Sequence, residues 1–174
     1  MDFIYEKHDN LNKMFCKNII STFENTKKYE NREISSLRLE TDKNRWKTYD
    51  TILFQELNKC LTEYIKKVKD ITDIFNSEIR DNGFMIEKFN KNKGHVELHN
   101  DTHILSKDSV RILTYIWFLN TVYVGGEIEI NNQKIKAEVG KLIIFPSTWT
   151  YTYKQNIPIS EDKYTIIGGF YKKI

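Results

Sequence analysis

His99 and Asp101 are the residues of this chain whose types and spacing best suit metal binding. They stand two positions apart in the run His99-Asn100-Asp101. In a β-strand, residues i and i+2 lie about 6 to 7 Å apart on one face, so an imidazole nitrogen and a carboxylate oxygen can reach one ion together. The pair is a metal half-site, and a third ligand must come from elsewhere.

The other histidines are one source of a third ligand, because the chain has only four. They are His8, His95, His99 and His103, so no histidine follows position 103. His103 shares a strand face with His99 and Asp101. A straight strand spreads these three residues over about 13 Å, however, so the backbone would have to turn after Asp101. His95 is the upstream alternative. Otherwise we expect His95 and His103 at the rim, where a substrate would contact them.

Two amphipathic helices are predicted ahead of this site. Apolar side chains recur every three or four residues over 10–26 and again from Tyr49 to about Phe75, which indicates two helices with one buried face each. Residues 27–47 are rich in charge and lack that period. We therefore expect a polar surface connection there, with room for a short strand.

After the turn signal Asp81-Asn82-Gly83 the pattern changes to short β-type runs. The predicted strands are 84–90, 95–101, 111–119, 127–130, 134–138, 142–145, 149–154 and 163–171. Two helices followed by eight short strands predict an α+β fold, a double-stranded β-helix (jelly roll) with N-terminal buttressing helices. The length favours a single domain over 1–174, with a helical N-terminal part at 1–80 and a jelly-roll core at 84–172.

Composition narrows the setting and the partners. No run approaches the ~18 apolar residues of a membrane span, and the first residues lack a signal-peptide pattern, so we expect a cytoplasmic protein without membrane contact. The net charge of +3 is spread over interspersed lysines and glutamates, which argues against nucleic-acid binding. Cys16 and Cys60 are expected to be reduced, buried thiols. Abundant Lys, Asn and Ile suit an AT-rich source, and hence a bacterial or infected-host cytoplasm.

Several motifs follow the His-x-Asp pair in order. They are Arg111-x-Leu113-Thr114, Leu119-Asn120, Gly125-Gly126-Glu127, Phe145-Pro146-Ser147-x-Trp149 and Lys163-Tyr164-x-Ile166-Ile167-Gly168. With them, residues 84–172 resemble the Fe(II)/2-oxoglutarate-dependent oxygenases of the prolyl 4-hydroxylase type, particularly the small single-domain forms of bacteria, phages and large viruses. That family binds iron through His-x-Asp and a distant histidine. A lysine or arginine beyond that histidine binds the far carboxylate of 2-oxoglutarate.

The resemblance implies metal-binding roles for individual residues. His99 and Asp101 would bind iron, and Tyr153 stands at the position of the distal histidine. A phenol has a reference pKa near 10 and must be deprotonated to bind a metal well. Tyr153 is therefore either a third ligand or an ordinary tyrosine that fills the pocket, and His103 is the alternative third ligand.

The resemblance also implies a cosubstrate site. Lys163 lies ten positions after Tyr153 and would bind the far carboxylate of 2-oxoglutarate, assisted by Thr165 on the same strand face. Thr114 would be a further cosubstrate contact or a core threonine. A lysine deep in an apolar barrel needs an anionic partner, because burying it unpaired is costly. The family often has a tyrosine three positions before the first metal histidine, where this chain has Val96.

These features lead to competing functional hypotheses. The first is an Fe(II)- and 2-oxoglutarate-dependent dioxygenase that hydroxylates a prolyl-type protein side chain or a small molecule, releases succinate and CO2, and uses ascorbate as an accessory reductant. The alternative is a catalytically degenerate oxygenase fold that binds a ligand or a protein. A third hypothesis is a cupin-like metal enzyme with a remodelled ligand set.

Overall fold

The computed structural model describes residues 3–68, 73–76, 78–102, 104–106 and 108–173, and for 104–106 it describes the backbone alone. The helices are α1 (Lys13–Glu24), α2 (Lys43–Val68) and a short 3₁₀ helix at Leu39–Asp42. The strands are β1 (Tyr5–Lys7), β2 (Tyr29–Glu30), β3 (Ile34–Arg38), β4 (Ile79–Asp81), β5 (Met85–Phe89), β6 (Val96–His99), β7 (Ile104–Ser106), β8 (Ser109–Phe118), β9 (Ile128–Ile130), β10 (Gln133–Ile135), β11 (Leu142–Pro146), β12 (Tyr153–Gln155) and β13 (Lys163–Lys173).

Both helices form where the sequence places an apolar stripe. Asn12 caps α1, because its side-chain oxygen accepts a hydrogen bond of 2.8 Å from the Phe15 backbone N–H. The buried face of α1 consists of Cys16, Ile19 and Phe23. Helix α2 buries Trp46, Leu53, Leu57, Cys60, Tyr64 and Val68. Both predicted helices are confirmed, and both cysteines are buried and free.

Two antiparallel sheets make up the rest of the fold. The large sheet has the order β1-β11-β8-β13-β5-β3-β2, with β4 added to β13 and β7 added to β8. The small sheet has the order β10-β9-β12-β6. The pairs β2–β3, β7–β8 and β9–β10 are consecutive in sequence. The central neighbours β11, β8, β13 and β5 are far apart in sequence, as in a jelly roll with crossing connections. The predicted α+β jelly roll with buttressing helices is therefore confirmed.

The large sheet is buried on both faces, and β8 shows how. Leu113, Tyr115 and Trp117 join the core cluster formed with α1 and α2. Ile116 and Phe118 join a second cluster, which includes residues of the small sheet. Successive side chains of a strand point to opposite faces, so β8 serves the helix side and the interior between the sheets at once.

The N-terminal part contains more β-structure than the sequence analysis predicted. Strands β1 and β3 pair with β11 and β5 of the large sheet. Leu37 and Leu39 lie within 27–47, predicted as a polar surface connection, yet both are buried. Helix α2 also begins at Lys43, within that segment. The prediction was wrong here because the apolar residues are too few and too widely spaced to show a period, and tertiary pairing decided their conformation.

The strand that carries His99 is shorter than predicted. Strand β6 ends at His99, and Asp101 lies in the segment that follows. Asp101 is therefore held by the segment after β6 and not by the ladder of that strand. Helix α2 was predicted to reach about Phe75, but the structure describes it only as far as Val68, and residues 69–72 lie outside the described residues.

Among the described residues, no helix is both long enough and apolar enough to cross a membrane.

Replacing Leu53 by alanine tests the packing of α2 on the large sheet. Leu53 is completely buried, so the substitution leaves a cavity and should lower the free energy of unfolding by about 2 to 5 kcal/mol. The neighbouring Phe54 is 48% exposed, and Phe54→Ala is the matched control, expected to cost much less. Urea denaturation of both variants measures the difference. Equal losses would contradict the packing of this face.

Candidate metal and cosubstrate site

His99 is held in place by its own strand and by the strand beside it. Its Nδ1 lies 2.8 Å from the carbonyl oxygen of Glu97, an acceptor only, so Nδ1 carries a proton and donates it. The His99 ring packs on Tyr153 with centroids 4.3 Å apart, because the two residues are partners in the β6–β12 pairing. This fixes the tautomer and leaves Nε2 free to bind a metal when the imidazole is neutral.

The carboxylate of Asp101 is the meeting point of the site. Its Oδ1 lies 3.6 Å from His99 Nε2. Its Oδ2 accepts hydrogen bonds from Thr114 Oγ1 at 2.6 Å and from the Tyr153 hydroxyl at 3.0 Å. The Arg111 guanidinium is 3.2 Å from the same oxygen. Two strands besides its own segment therefore contribute to Asp101: β8 through Thr114 and Arg111, and β12 through Tyr153.

These contacts set the ionisation of the site. Burial acts to raise the pKa of Asp101, but the adjacent His99 imidazole, the Arg111 charge and the hydrogen bonds from Thr114 and Tyr153 outweigh it and hold the pKa at about 2. The adjacent Asp101 carboxylate in turn raises the pKa of His99, against the effect of burial. Burial, with the Asp101 charge beside it, raises the pKa of Tyr153 well above its ordinary value. Tyr153 is thus a neutral hydrogen-bond donor.

Lys163 lies inside the barrel, as predicted, but it already has partners. The side chain is fully buried, and its Nζ donates to Gln155 Oε1 at 3.0 Å and to the Gly126 carbonyl at 3.3 Å. The amine also sits 4.2 Å from the centre of the Phe89 ring. Burial lowers the pKa of Lys163 to about 7.

Glu87 and Thr165 face each other across β5 and β13 in the same interior. The Glu87 Oε2 and the Thr165 hydroxyl are both buried and make no hydrogen bond. Burial raises the pKa of Glu87 to about 7, although the Lys163 charge acts in the opposite direction. Two unsatisfied polar atoms in adjacent positions leave free hydrogen-bonding capacity in this part of the interior.

A cleft of about 200 Å³ connects these groups to the surface. His99, Asp101, Arg111, Tyr153, Gln155 and Glu87 are among the residues that line it. Another cleft, of about 360 Å³, is lined by residues of β4 and β13 and by Asp108 and Ser109, and His99 is not among its lining residues. The chemistry therefore belongs to the smaller cleft.

The structure brings four of the predicted site residues together: His99, Asp101, Thr114 and Tyr153. Lys163 and Thr165 lie farther along the same interior and connect to the cleft through Gln155 and Glu87, so their assignment to 2-oxoglutarate stays a prediction. His103, the alternative third ligand, lies outside the described residues. His95, expected at the rim, hydrogen bonds to Lys93 and Glu97.

The donor set supplies two of the three ligands that Fe(II) takes in this reaction class. Within the described part of the chain, no third His, Cys, Asp or Glu joins His99 and Asp101 to form a metal-binding group. Tyr153, which the resemblance assigns to the position of the third ligand, is a neutral phenol whose hydroxyl donates a hydrogen bond to Asp101, and a neutral phenol is a poor ligand for a divalent metal. The described residues do not fit an iron centre with two imidazoles and one carboxylate.

Sequence reasoning missed four contributors to the site. Arg111 was noted only as part of a motif, and its ion pair with Asp101 is visible only in the fold. Ser147, which hydrogen bonds to Thr114 at 2.8 Å, was likewise noted only as part of a motif. Gln155 and Glu87 were not considered. Their positions in the sequence could have indicated them. Gln155 lies two residues after Tyr153 and Glu87 two residues before Phe89, so in a strand each shares a face with a residue that points into the interior.

Replacing Glu87 by glutamine tests the buried carboxyl. The pKa of Glu87 is higher in the folded chain than its unfolded value near 4.3, so the folded state holds more protons between about pH 4 and pH 7. The contribution of Glu87 to stability is therefore present at low pH and is lost as the pH rises through this window. The free energy of unfolding of Glu87→Gln, relative to that of the wild type, should therefore rise by on the order of 1 to 2 kcal/mol from pH 5 to pH 7.5.

Urea denaturation at both pH values measures this change. Glu33→Gln, at an exposed position, is the control for loss of one carboxylate. A difference between Glu87→Gln and wild type that stays constant or shrinks as the pH rises would contradict the buried carboxyl.

Comparison with known proteins places this site in a family. The family model described as "2OG-Fe(II) oxygenase superfamily" matches residues 84–171, about half of the chain. No curated protein matches the chain significantly in sequence.

Solved structures share the fold at low identity. The viral collagen prolyl hydroxylase of Paramecium bursaria Chlorella virus-1 has a TM-score of 0.73 and 13% identity, with 98% of this chain and 96% of that one covered. A prolyl hydroxylase from Trichoplax adhaerens, in complex with a hypoxia inducible factor peptide, has a TM-score of 0.72 and 14% identity, with coverage of 99% and 84%. A Pseudomonas putida prolyl-4-hydroxylase has a TM-score of 0.64 and 13% identity, with coverage of 96% and 91%. The family match and the shared fold agree. This chain therefore belongs to the 2-oxoglutarate–Fe(II) oxygenase superfamily, and its fold is like that of the prolyl hydroxylases.

Proposed function

We propose that this chain is a catalytically degenerate member of its superfamily, which uses the cleft beside Asp101 to bind a ligand or a partner protein without oxidising it. One observation carries this proposal. The Tyr153 hydroxyl, at the position of the distal histidine, donates to Asp101 Oδ2 at 3.0 Å and so uses one of the two oxygens of a metal ligand. A divalent metal would have to compete with this bond and with the Arg111 cation for the same carboxylate.

The electrostatics of the cleft support the same conclusion. Asp101 already has a full complement of positive and hydrogen-bonding partners in Arg111, His99, Thr114 and Tyr153. These partners compensate the charge of a largely buried carboxylate from within the chain, which is the role that a metal would otherwise take.

A second candidate function is the dioxygenase itself, favoured by the convergence of His99 Nε2 and Asp101 Oδ1 at 3.6 Å. In that case these two atoms would bind Fe(II), His103 would supply the third ligand, and Lys163 with Thr165 and Thr114 would bind 2-oxoglutarate. The bound metal would activate dioxygen, and the products would be a hydroxylated substrate, succinate and CO2, with ascorbate as accessory reductant. A protein substrate is the preferred candidate for this function, because one prolyl hydroxylase with this fold is known in complex with a peptide.

The setting proposed for either function is the cytoplasm of a bacterium or of a virus-infected host. It rests on composition, since the Lys-, Asn- and Ile-rich sequence suits an AT-rich source.

An anaerobic titration of Fe(II)-treated protein with 2-oxoglutarate separates the two functions. A chelated iron–oxoacid complex gives a visible charge-transfer band, and we expect the wild type to show no saturable band. After oxygen is admitted to the same samples, we expect no succinate above the protein-free background. Tyr153→His replaces a neutral phenol by an imidazole and should tighten Fe(II) binding by about tenfold or more, measured calorimetrically. Tyr153→Phe removes the hydroxyl but adds no ligand, and is the matched control.

A saturable band together with succinate from the wild type would overturn the proposal. Loss of both signals in His103→Ala would then assign the third ligand to that histidine, and the dioxygenase would be established. Asp101→Ala should abolish any metal affinity in either case, because it removes the shared carboxylate.

A further inference from the structure

We infer that Gln155 occupies, with its own side-chain amide, the place that a carboxylate ligand would take at Lys163. The inference deepens the proposed function and rests on it, because it explains how the cleft of a degenerate oxygenase is closed to the cosubstrate of its family. It concerns the interior end of the cleft, where Lys163, Gln155, Gly126 and Phe89 meet.

Groups of this chain already surround the amine of Lys163. A lysine ammonium has three N–H donors and no acceptor. Two of these donors reach Gln155 Oε1 and the Gly126 carbonyl, at 3.0 and 3.3 Å, and the Phe89 ring lies 4.2 Å from the nitrogen. An incoming carboxylate would have to displace one of these groups. Gln155 is the one that can move, because the others are backbone and a ring buried in the core.

Gln155 is placed for this role by the alternation of β12. Tyr153 and Gln155 are buried, whereas Lys154 between them points outward and pairs with Glu129 at 3.3 Å. Gln155 also lines the cleft that contains His99 and Asp101. Its side chain therefore lies between the open part of the cleft and Lys163, so a ligand that enters from the cleft meets the amide before the amine.

Charge opposes a dicarboxylate at the same place. Glu87 lines the cleft, and its buried Oε2 has no hydrogen-bond partner. The Glu87 carboxylate and an incoming dianion would share the one positive charge of Lys163. Gln155 therefore supplies Lys163 with a hydrogen-bond acceptor, and Glu87 supplies it with a countercharge. Together they weaken the affinity of the interior for a second anion.

Removing the Gln155 amide should open the site to dicarboxylates. With metal-free protein and calorimetric titration, 2-oxoglutarate should bind Gln155→Ala at least about tenfold more tightly than the wild type, because the variant frees a donor of Lys163 and the space to reach it. Glutarate, which has the same carboxylates but no oxo group, should also bind Gln155→Ala more tightly than the wild type, by a similar factor. Gln155→Asn, which shortens the amide by one methylene, should give a smaller gain and is the second variant if the alanine form does not fold.

Three controls make the result specific. Gln155→Met fills the same space without an acceptor and should not gain affinity, because the path to Lys163 stays blocked. Gln155→Ala combined with Lys163→Met should lose the gain, because the cation is gone. Lys154→Ala changes the outward neighbour and should bind as the wild type does.

Equal 2-oxoglutarate affinity in folded Gln155→Ala, folded Gln155→Asn and wild type would overturn the inference. So would a gain that survives the Lys163→Met change. Both readouts are affinities of metal-free protein, so they are independent of turnover. Succinate formation by the wild type would overturn the proposed function and this inference with it, whereas unchanged affinity in the Gln155 variants would overturn this inference alone.

Discussion

The largely buried carboxylate of Asp101 is the interaction on which the cleft depends, because it joins both sheets through hydrogen bonds and an ion pair. It follows β6, and it accepts hydrogen bonds from Thr114 on β8 of the large sheet and Tyr153 on β12 of the small sheet. Arg111 adds a charge from β8 and is itself fixed by the Gly168 carbonyl of β13 at 2.9 Å. A charge of this kind is costly to bury unless its partners satisfy it, so the geometry of both sheets near the cleft depends on that set of contacts.

Close approach of strands makes these contacts reachable. Gly169 of β13 lies beside Arg111, and a Cβ built on Gly169 would come within 2.3 Å of Arg111 Nε. A larger residue there would push the guanidinium away from Asp101. The main chain of β13 thus works together with a side chain of β8 to set the electrostatics of the cleft, although neither residue would be chosen as a metal or cosubstrate ligand.

The interior of this barrel differs from a simple apolar core. It contains four polar residues that point between the two sheets: Lys163 and Thr165 on β13, Glu87 on β5 and Gln155 on β12. Part of their hydrogen-bonding capacity is used within the chain, and the rest, at Glu87 Oε2 and the Thr165 hydroxyl, is unsatisfied. Buried polar groups without partners cost free energy and persist where function or ancestry retains them. Their location at the end of the cleft is consistent with an inherited ligand site that the chain now fills with its own side chains.

The fold was accessible from sequence to a large extent, because its signals are local. The apolar period of α1 and α2 and the short runs from 84 onward depend on neighbouring residues alone, and they predicted helices, strands and the jelly roll. Where apolar residues were sparse, as at Leu37 and Leu39, the sequence prediction was wrong and tertiary pairing decided the conformation. Strand β1 was missed for the same reason, since three residues carry too little pattern to be recognised.

What the sequence by itself determined is the inventory of the site: a His-x-Asp pair, a tyrosine at the distal position, a lysine ten residues later, and no histidine after position 103. Only the tertiary structure decided what these groups do to one another. It brought Asp101 to Arg111, directed the Tyr153 hydroxyl to donate a hydrogen bond to Asp101, and paired Lys163 with Gln155. The reason is physical: the state of a buried polar group depends on which partners lie within about 3 Å, and those partners come from strands distant in sequence.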